Sequence, residues 1–166
     1  MILGAALATA PALATNRPDR EDFTRDFQKS LTLPQGQVVR LDHRHGNITV
    51  RTHAEREMKL QANIRVSASD KQEAAQFGNQ IQILVEQTAA GVSVRTQYPQ
   101  ENSRLFSGRR NVSFSVNYDL LMPADSPLTI KNSFGNVSVM GLRANGDITN
   151  AHGLLSFKTG QGIQRL

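Results

Sequence analysis

Asn132-Ser133-Phe134-Gly135-Asn136-Val137-Ser138-Val139 is answered, without a gap, by Asn150-Ala151-His152-Gly153-Leu154-Leu155-Ser156-Phe157. The offset is 18 residues (153 minus 135), and in that register Val137 matches Leu155, Ser138 matches Ser156 and Val139 matches Phe157. Apolar therefore recurs on apolar and polar on polar. A second short strand, Gly146-Asp147-Ile148-Thr149, lies between the copies. A unit this short cannot bury its apolar face alone, but copies stacked about 4.7–4.9 Å apart bury a continuous one. The pattern predicts an all-β chain forming a β-solenoid, parallel β-helix-like, with about 18 residues per coil. Gly135, Gly146 and Gly153 are the expected corners, where the backbone takes angles closed to other residues, and Asn136 and Asn145 tolerate such angles next best. The competing reading is a plain antiparallel meander with glycine in its turns; in-register recurrence favours stacked coils.

Upstream, alternation with period two continues. Val39 and Leu41 oppose Val38, Arg40 and Asp42, a turn passes through His45-Gly46-Asn47, and Ile48, Val50 and Thr52 resume the pattern. His45–Val50 is a looser third copy of the repeat. Met58, Leu60, Ala62, Ile64 and Val66 alternate with polar residues. Ser69-Asp70 can cap one short helix carrying Ala74, Ala75 and Phe77, with Gly78 as its stop. Strands with Ile81, Ile83 and Val85 inward, and with Val92, Val94 and Thr96, flank a turn at Ala89-Ala90-Gly91. Residues 98–110 form a loop, and Asn111 to Met122 is the longest alternating run. Pro123 and Pro127 interrupt the pairing that follows, since proline removes a ladder donor.

The first fourteen residues, MILGAALATAPALA, are uncharged and end small-x-small at Ala12-Leu13-Ala14, which predicts an exported precursor cut after Ala14. Residues 15–35 read as a polar leader arm and 36–166 as one β-strand-repeat domain, incomplete at its C-terminal end. No run reaches the roughly 20 apolar residues that a spanning helix needs. Apolar residues make up 39% and aromatics 5%, so many small β-branched contacts must carry the core. The absence of cysteine excludes disulfides, thiolate metal sites and a Cys nucleophile.

The phrases LDHRHGNITV, QIQILVEQ with GVSVRT, VNYDLLMPADSPLTIKNSFGNVSV and GLRANGDITNAHGLLSF together resemble the bacterial putative-adhesin domains built from β-strand repeats. The resemblance covers residues 36–166. It implies an envelope-associated right-handed β-solenoid, and it carries over no catalytic residue.

A search for chemistry returns no catalytic, cofactor-binding or metal-ligating residue. His43 and His45, at i and i+2, can share one strand face, but Arg44 between them brings positive charge and no third ligand is nearby in sequence. His53 and His152 stand alone. No serine sits in G-x-S-x-G, and the strand acids Asp42, Asp119 and Asp147 are scattered. The net charge of +5, with Arg104, Arg109 and Arg110 in one loop and Arg17, Arg20 and Arg25 near the start, favours anionic partners. Nucleic acid is not expected, because stacking aromatics are not interleaved with these arginines. The function expected is non-enzymatic: an exported envelope protein presenting its surface to an envelope polymer or partner protein, with unpaired strand edges open to a second copy. The alternatives are a glycan-active β-helix lyase or hydrolase, and an envelope-stress peptide sensor.

Overall fold

The computed structural model describes residues 20–99 and 112–166. The expected leader peptide, Arg17, and Arg104, Arg109 and Arg110 lie outside the described residues.

The alternating runs become strands with one face buried. They are β1 (Glu21–Thr32), β2 (Val38–Asp42), β3 (Ile48–His53), β4 (Glu57–Ala68), β5 (Gln82–Thr88), β6 (Gly91–Gln97), β7 (Ser113–Pro123), β8 (Leu128–Phe134), β9 (Val137–Met140), β10 (Gly146–His152), β11 (Leu155–Lys158) and β12 (Gln164–Arg165), with a single helix, α1 (Lys71–Gln80). The fold is therefore mostly β. Two open mixed sheets form, one in the order β1-β4-β7-β3-β9-β11 and the other β12-β10-β8-β2-β6-β5.

Consecutive 18-residue units pair in parallel. Leu128, Gly146 and Gln164 are neighbours in one sheet, while Val137 lies beside Leu155 and Val139 beside Phe157 in the other. The third copy joins the same columns: Val39 pairs with Leu128 and Leu41 with Ile130, while Ile48 pairs with Val137 and Val50 with Val139. On its far side, Val92 and Val94 of β6 pair with Val39 and Leu41, and Tyr118 and Leu120 of β7 pair with Ile48 and Val50. Each layer is thus a strand, a corner and a strand of the facing sheet. Spatial order departs from chain order, because β2–β3 is sandwiched between β6–β7 and β8–β9. The inward residues Val39, Leu41, Val50, Leu120, Ile130, Val139 and Ile148 are at most 1% exposed, which locates the core between the sheets.

The remaining pairing is antiparallel: β1 with β4, β4 with β7, and β5 with β6. This corrects the reading of residues 15–35 as an arm. Glu21–Thr32 pairs with β4 from Glu21 opposite Ala68 to Thr32 opposite Glu57. Phe23, Phe27 and Leu31 pack against the core, and the charged residues between them hid the period from view.

Helix α1 starts as expected, with the Asp70 carboxylate accepting from the Gln72 amide at 2.7 Å. Gly78 does not stop it. The helix runs on to Gln80, and Gly78 is buried where a Cβ would sit 2.3 Å from the Phe23 ring. Its smallness admits that ring.

One column of corners has a strict geometry. Gly46, Gly135 and Gly153 take φ of +137°, +125° and +131°. A Cβ on each would lie 2.0, 2.1 and 2.0 Å from the carbonyl oxygens of Val116, Gly46 and Gly135, the layer below in each case. Asparagines continue the ladder: the Asn47 amide donates to Asn117 Oδ1, the Asn136 amide to Asn47 Oδ1 and the Leu154 amide to Asn136 Oδ1, each at 2.9 Å. Gly146, expected at a corner, instead opens β10 without a positive φ. Its need is space, since a Cβ there would meet Gln164 Oε1 at 2.3 Å.

Candidate functional site

The second column of corners encloses a cleft of about 570 Å³ lined by Thr52, His53, Ala54, Ala124, Asp125, Gly141, Arg143, Thr159 and Gln161. Thr52 and His53 end strand β3, and the others come from four connections: β3 to β4, β7 to β8, β9 to β10 and β11 to β12. Amide bonds hold the turns to one another. The Ala124 amide donates to the His53 carbonyl at 3.0 Å, the Arg143 amide to the Ala124 carbonyl at 2.8 Å, and the Gln161 amide to the Leu142 carbonyl at 2.8 Å. With those backbone groups satisfied, side chains decide what the cleft can bind.

Two cations flank one carboxylate there. Arg56 grips both oxygens of Asp125 at 2.7 Å, and that hydrogen-bonded pairing, helped by the charges of Arg56 and Arg143, holds the Asp125 carboxyl below the usual carboxylate range. Among the described residues, the exposed Arg143 guanidinium makes no hydrogen bond and no ion pair. Thr52 and Thr159 add hydroxyls, and Gln161 adds an amide. The His53 ring is anchored through Nε2, 2.8 Å from the Glu57 carbonyl oxygen, which fixes Nε2 as the donor.

Thr159 is in the left-handed region, with φ of +51°, and among the described residues it is the non-glycine residue with positive φ. Gly141, 18 residues earlier, holds the equivalent corner at +80°, where a Cβ would lie 2.5 Å from Thr52 Oγ1.

The histidines singled out in the sequence are committed elsewhere. His43 is 3% exposed, its Nδ1 lying 3.0 Å from Thr96 Oγ1 and 3.2 Å from the Tyr98 hydroxyl, while Thr96 Oγ1 is 2.6 Å from the Tyr118 hydroxyl. Burial lowers its pKa to about 4. His45 stacks on Phe134 with centroids 5.2 Å apart, and Phe134 stacks on His152 at 4.8 Å, so these rings form a ladder outside the glycine corners. His53 alone reaches the cleft. Among the described residues no three His, Asp or Glu side chains gather as a metal site. Asp42 and Asp147 belong to one sheet and Asp119 to the other, where Arg51 binds both Asp119 oxygens at 2.8 Å.

Sequence reasoning missed the cleft because most of its residues fall in turns, outside any strand period, and Thr52 and His53, at the end of β3, carry no sign of a shared site. The available signal was the 18-residue offset itself, which aligns Thr159 with Gly141 and Gln161 with Arg143 (159 minus 141 and 161 minus 143).

No protein-family model matches the chain, and no curated protein matches it. Among solved structures it is similar to a putative cell adhesion protein from Clostridium sporogenes, at 13% identity and a TM-score of 0.45, over 79% of this chain and 59% of that one. It is also similar to a putative adhesin from Bacteroides fragilis, at 14% identity and a TM-score of 0.43, over 90% of this chain and 63% of that one. The chain thus spans about three fifths of the length of either structure.

Proposed function

We propose that this chain is a non-enzymatic binding module of the bacterial envelope, a β-solenoid whose stacked corners hold an envelope polysaccharide in the cleft between Thr52 and Gln161. The observation that carries the reading is the cleft itself. It is a groove of about 570 Å³ at the stacked β3–β4, β7–β8, β9–β10 and β11–β12 corners, with hydroxyl, amide and guanidinium groups among its lining residues. Such groups suit a polyol that runs along the stack.

Non-enzymatic action is favoured by the state of the carboxylates. A glycosidase needs one carboxyl able to deliver a proton and a second within about 5–10 Å. Asp125 is kept ionised by Arg56, and Asp119 is engaged by Arg51. Export is favoured by the small-x-small end of the first fourteen residues. Among the described residues no helix is long and apolar enough to cross a membrane.

The test is retention of the chain on an array of bacterial surface polysaccharides, with Gln161→Tyr as a variant that fills the exposed groove while leaving the Gln161 amide bond in place. Binding by the parent and its loss in a variant with an unchanged circular dichroism spectrum are expected. Absence of binding to every polysaccharide, or equal binding by both proteins, overturns the reading. Cleavage of a bound polysaccharide would favour the glycan-active alternative.

A second reading, self-association through strand edges, is favoured by β1 and β5, which among the described residues end the two sheets on the opposite side from β11 and β12. Sedimentation over a concentration series tests it, and a strict monomer sinks it.

A further inference from the structure

We infer that the cleft selects a sugar bearing an oxyanion, with the Arg143 guanidinium as the anion-binding group. The inference rests on the cleft being the binding site, and it adds the chemical class of the ligand.

The argument is a charge count within the groove. Asp125 is the acid among the lining residues, and Arg56 occupies both of its oxygens. An arginine–carboxylate pair closed in this bidentate way has no net charge left to offer. Arg143 stands near enough to help hold the Asp125 carboxyl down, yet no hydrogen bond joins the two side chains. Within the lining the groove therefore carries one positive charge, on the Arg143 fork, which makes no hydrogen bond or ion pair among the described residues; the Glu55 carboxylate, outside the lining and 74% exposed, faces His53 at 3.7 Å. A neutral sugar would leave that fork with only water, whereas a carboxylate or a phosphate matches it bidentately. The Thr159 hydroxyl and the Gln161 side-chain amide beside it can pair with ring hydroxyls in either orientation, while the Thr52 hydroxyl, which donates to the Met140 carbonyl at 3.3 Å, can accept from one. A sugar acid or a sugar phosphate fits this set; an apolar ligand does not.

The experiment uses the full chain and three probes by isothermal titration: tri-galacturonate, its methyl ester, and maltotriose phosphorylated at the reducing end. The ester removes the charge and keeps the polyol. Binding to at least one charged probe is expected, with the ester about 10- to 100-fold weaker than the free acid, the span of a single charge-assisted pairing. Preference between carboxylate and phosphate identifies the source of the oxyanion. Arg143→Gln is expected to erase the difference between acid and ester, and Arg143→Lys to restore part of it, since lysine keeps the charge and loses the fork. Raising salt from 0.05 to 0.5 M, about a threefold shorter screening length, is expected to weaken the acid and not the ester. Equal binding of acid and ester by the parent overturns the inference while leaving a polysaccharide site standing. Failure of all three probes overturns the inference, and failure of the whole polysaccharide array overturns the site as well. An unchanged acid preference in Arg143→Gln overturns the role of that residue.

Discussion

His43 makes a prediction about stability against pH that the geometry fixes in sign and size. The ring is 3% exposed, and burial lowers its pKa from the ordinary 6.5 to about 4. The unfolded chain therefore binds a proton there at a pH where the folded chain refuses one. Between pH 6.5 and about 4 the unfolded state holds more protons, so stability falls as pH falls through that window and is fully present above it. A difference of 6.5 minus about 4, at 1.36 kcal/mol per unit, gives about 3 kcal/mol in all, of which about 2 kcal/mol is gone by pH 5. His45 is shifted the same way, mainly by burial, and adds to the effect. Asp125 acts lower: its carboxyl is held below the usual range, so its contribution is intact above that range and is lost only as pH drops beneath it. Urea unfolding followed by circular dichroism at pH 7, 6 and 5 measures the slope. His43→Gln is expected to be less stable at pH 7, because the pairing with Thr96 and Tyr98 is disturbed, and to have a flatter profile by about 2 kcal/mol between pH 7 and 5. Parallel profiles for parent and variant would refute the assignment, since a titrating group elsewhere would then carry the slope.

Gly135→Ala puts a Cβ 2.1 Å from the Gly46 carbonyl oxygen at a φ of +125°, and it is expected to cost about 2–4 kcal/mol in the urea midpoint. Thr159→Gly releases the left-handed strain at +51° and is expected to raise stability by up to about 1 kcal/mol, a gain that a falling melting temperature would contradict. Asn47→Ala removes the acceptor of the Asn136 amide and is expected to cost about 1 kcal/mol, read from chemical denaturation together with faster exchange of that amide.

The parallel part of the fold was legible because its corners repeat. Gly135 and Gly153 mark a backbone that only glycine accepts, and Val137 and Val139 fall over Leu155 and Phe157 as their spacing requires. The weaker copy at His45–Val50 was legible for the same reason, through Gly46. What stayed hidden was which copy stacks on which. Ile48 and Val137 are 89 residues apart (137 minus 48), and nothing local in either strand encodes that the β2–β3 layer precedes β8–β9 in space. β1 was hidden differently: Arg25 shares the inward face with Phe23 and Phe27, so an apolar period is broken in composition though not in geometry. The helix stop at Gly78 failed because glycine can mark a close neighbour as well as a turn, and here the neighbour is Phe23.

The two corner columns differ in what holds their layers together. On one side, three glycines and three asparagines stack so closely that each residue is dictated by the carbonyl or amide of the layer beneath. A side chain there has no freedom to be anything else. On the other side, main-chain bonds tie the turns from Ala124 to His53, Arg143 to Ala124 and Gln161 to Leu142, and side chains add the Arg56–Asp125 pair and the Thr52 hydroxyl on the Met140 carbonyl. Not every side chain at those corners is used in this way: the Arg143 guanidinium makes no hydrogen bond or ion pair among the described residues, and Thr159 sits in the left-handed region at +51°. A turn residue of this column can be altered while the buried columns of Val39, Leu128 and Ile148 stay as they are. The repeat therefore disclosed the stacked core directly and the cleft only through the alignment of Thr159 with Gly141 and of Gln161 with Arg143.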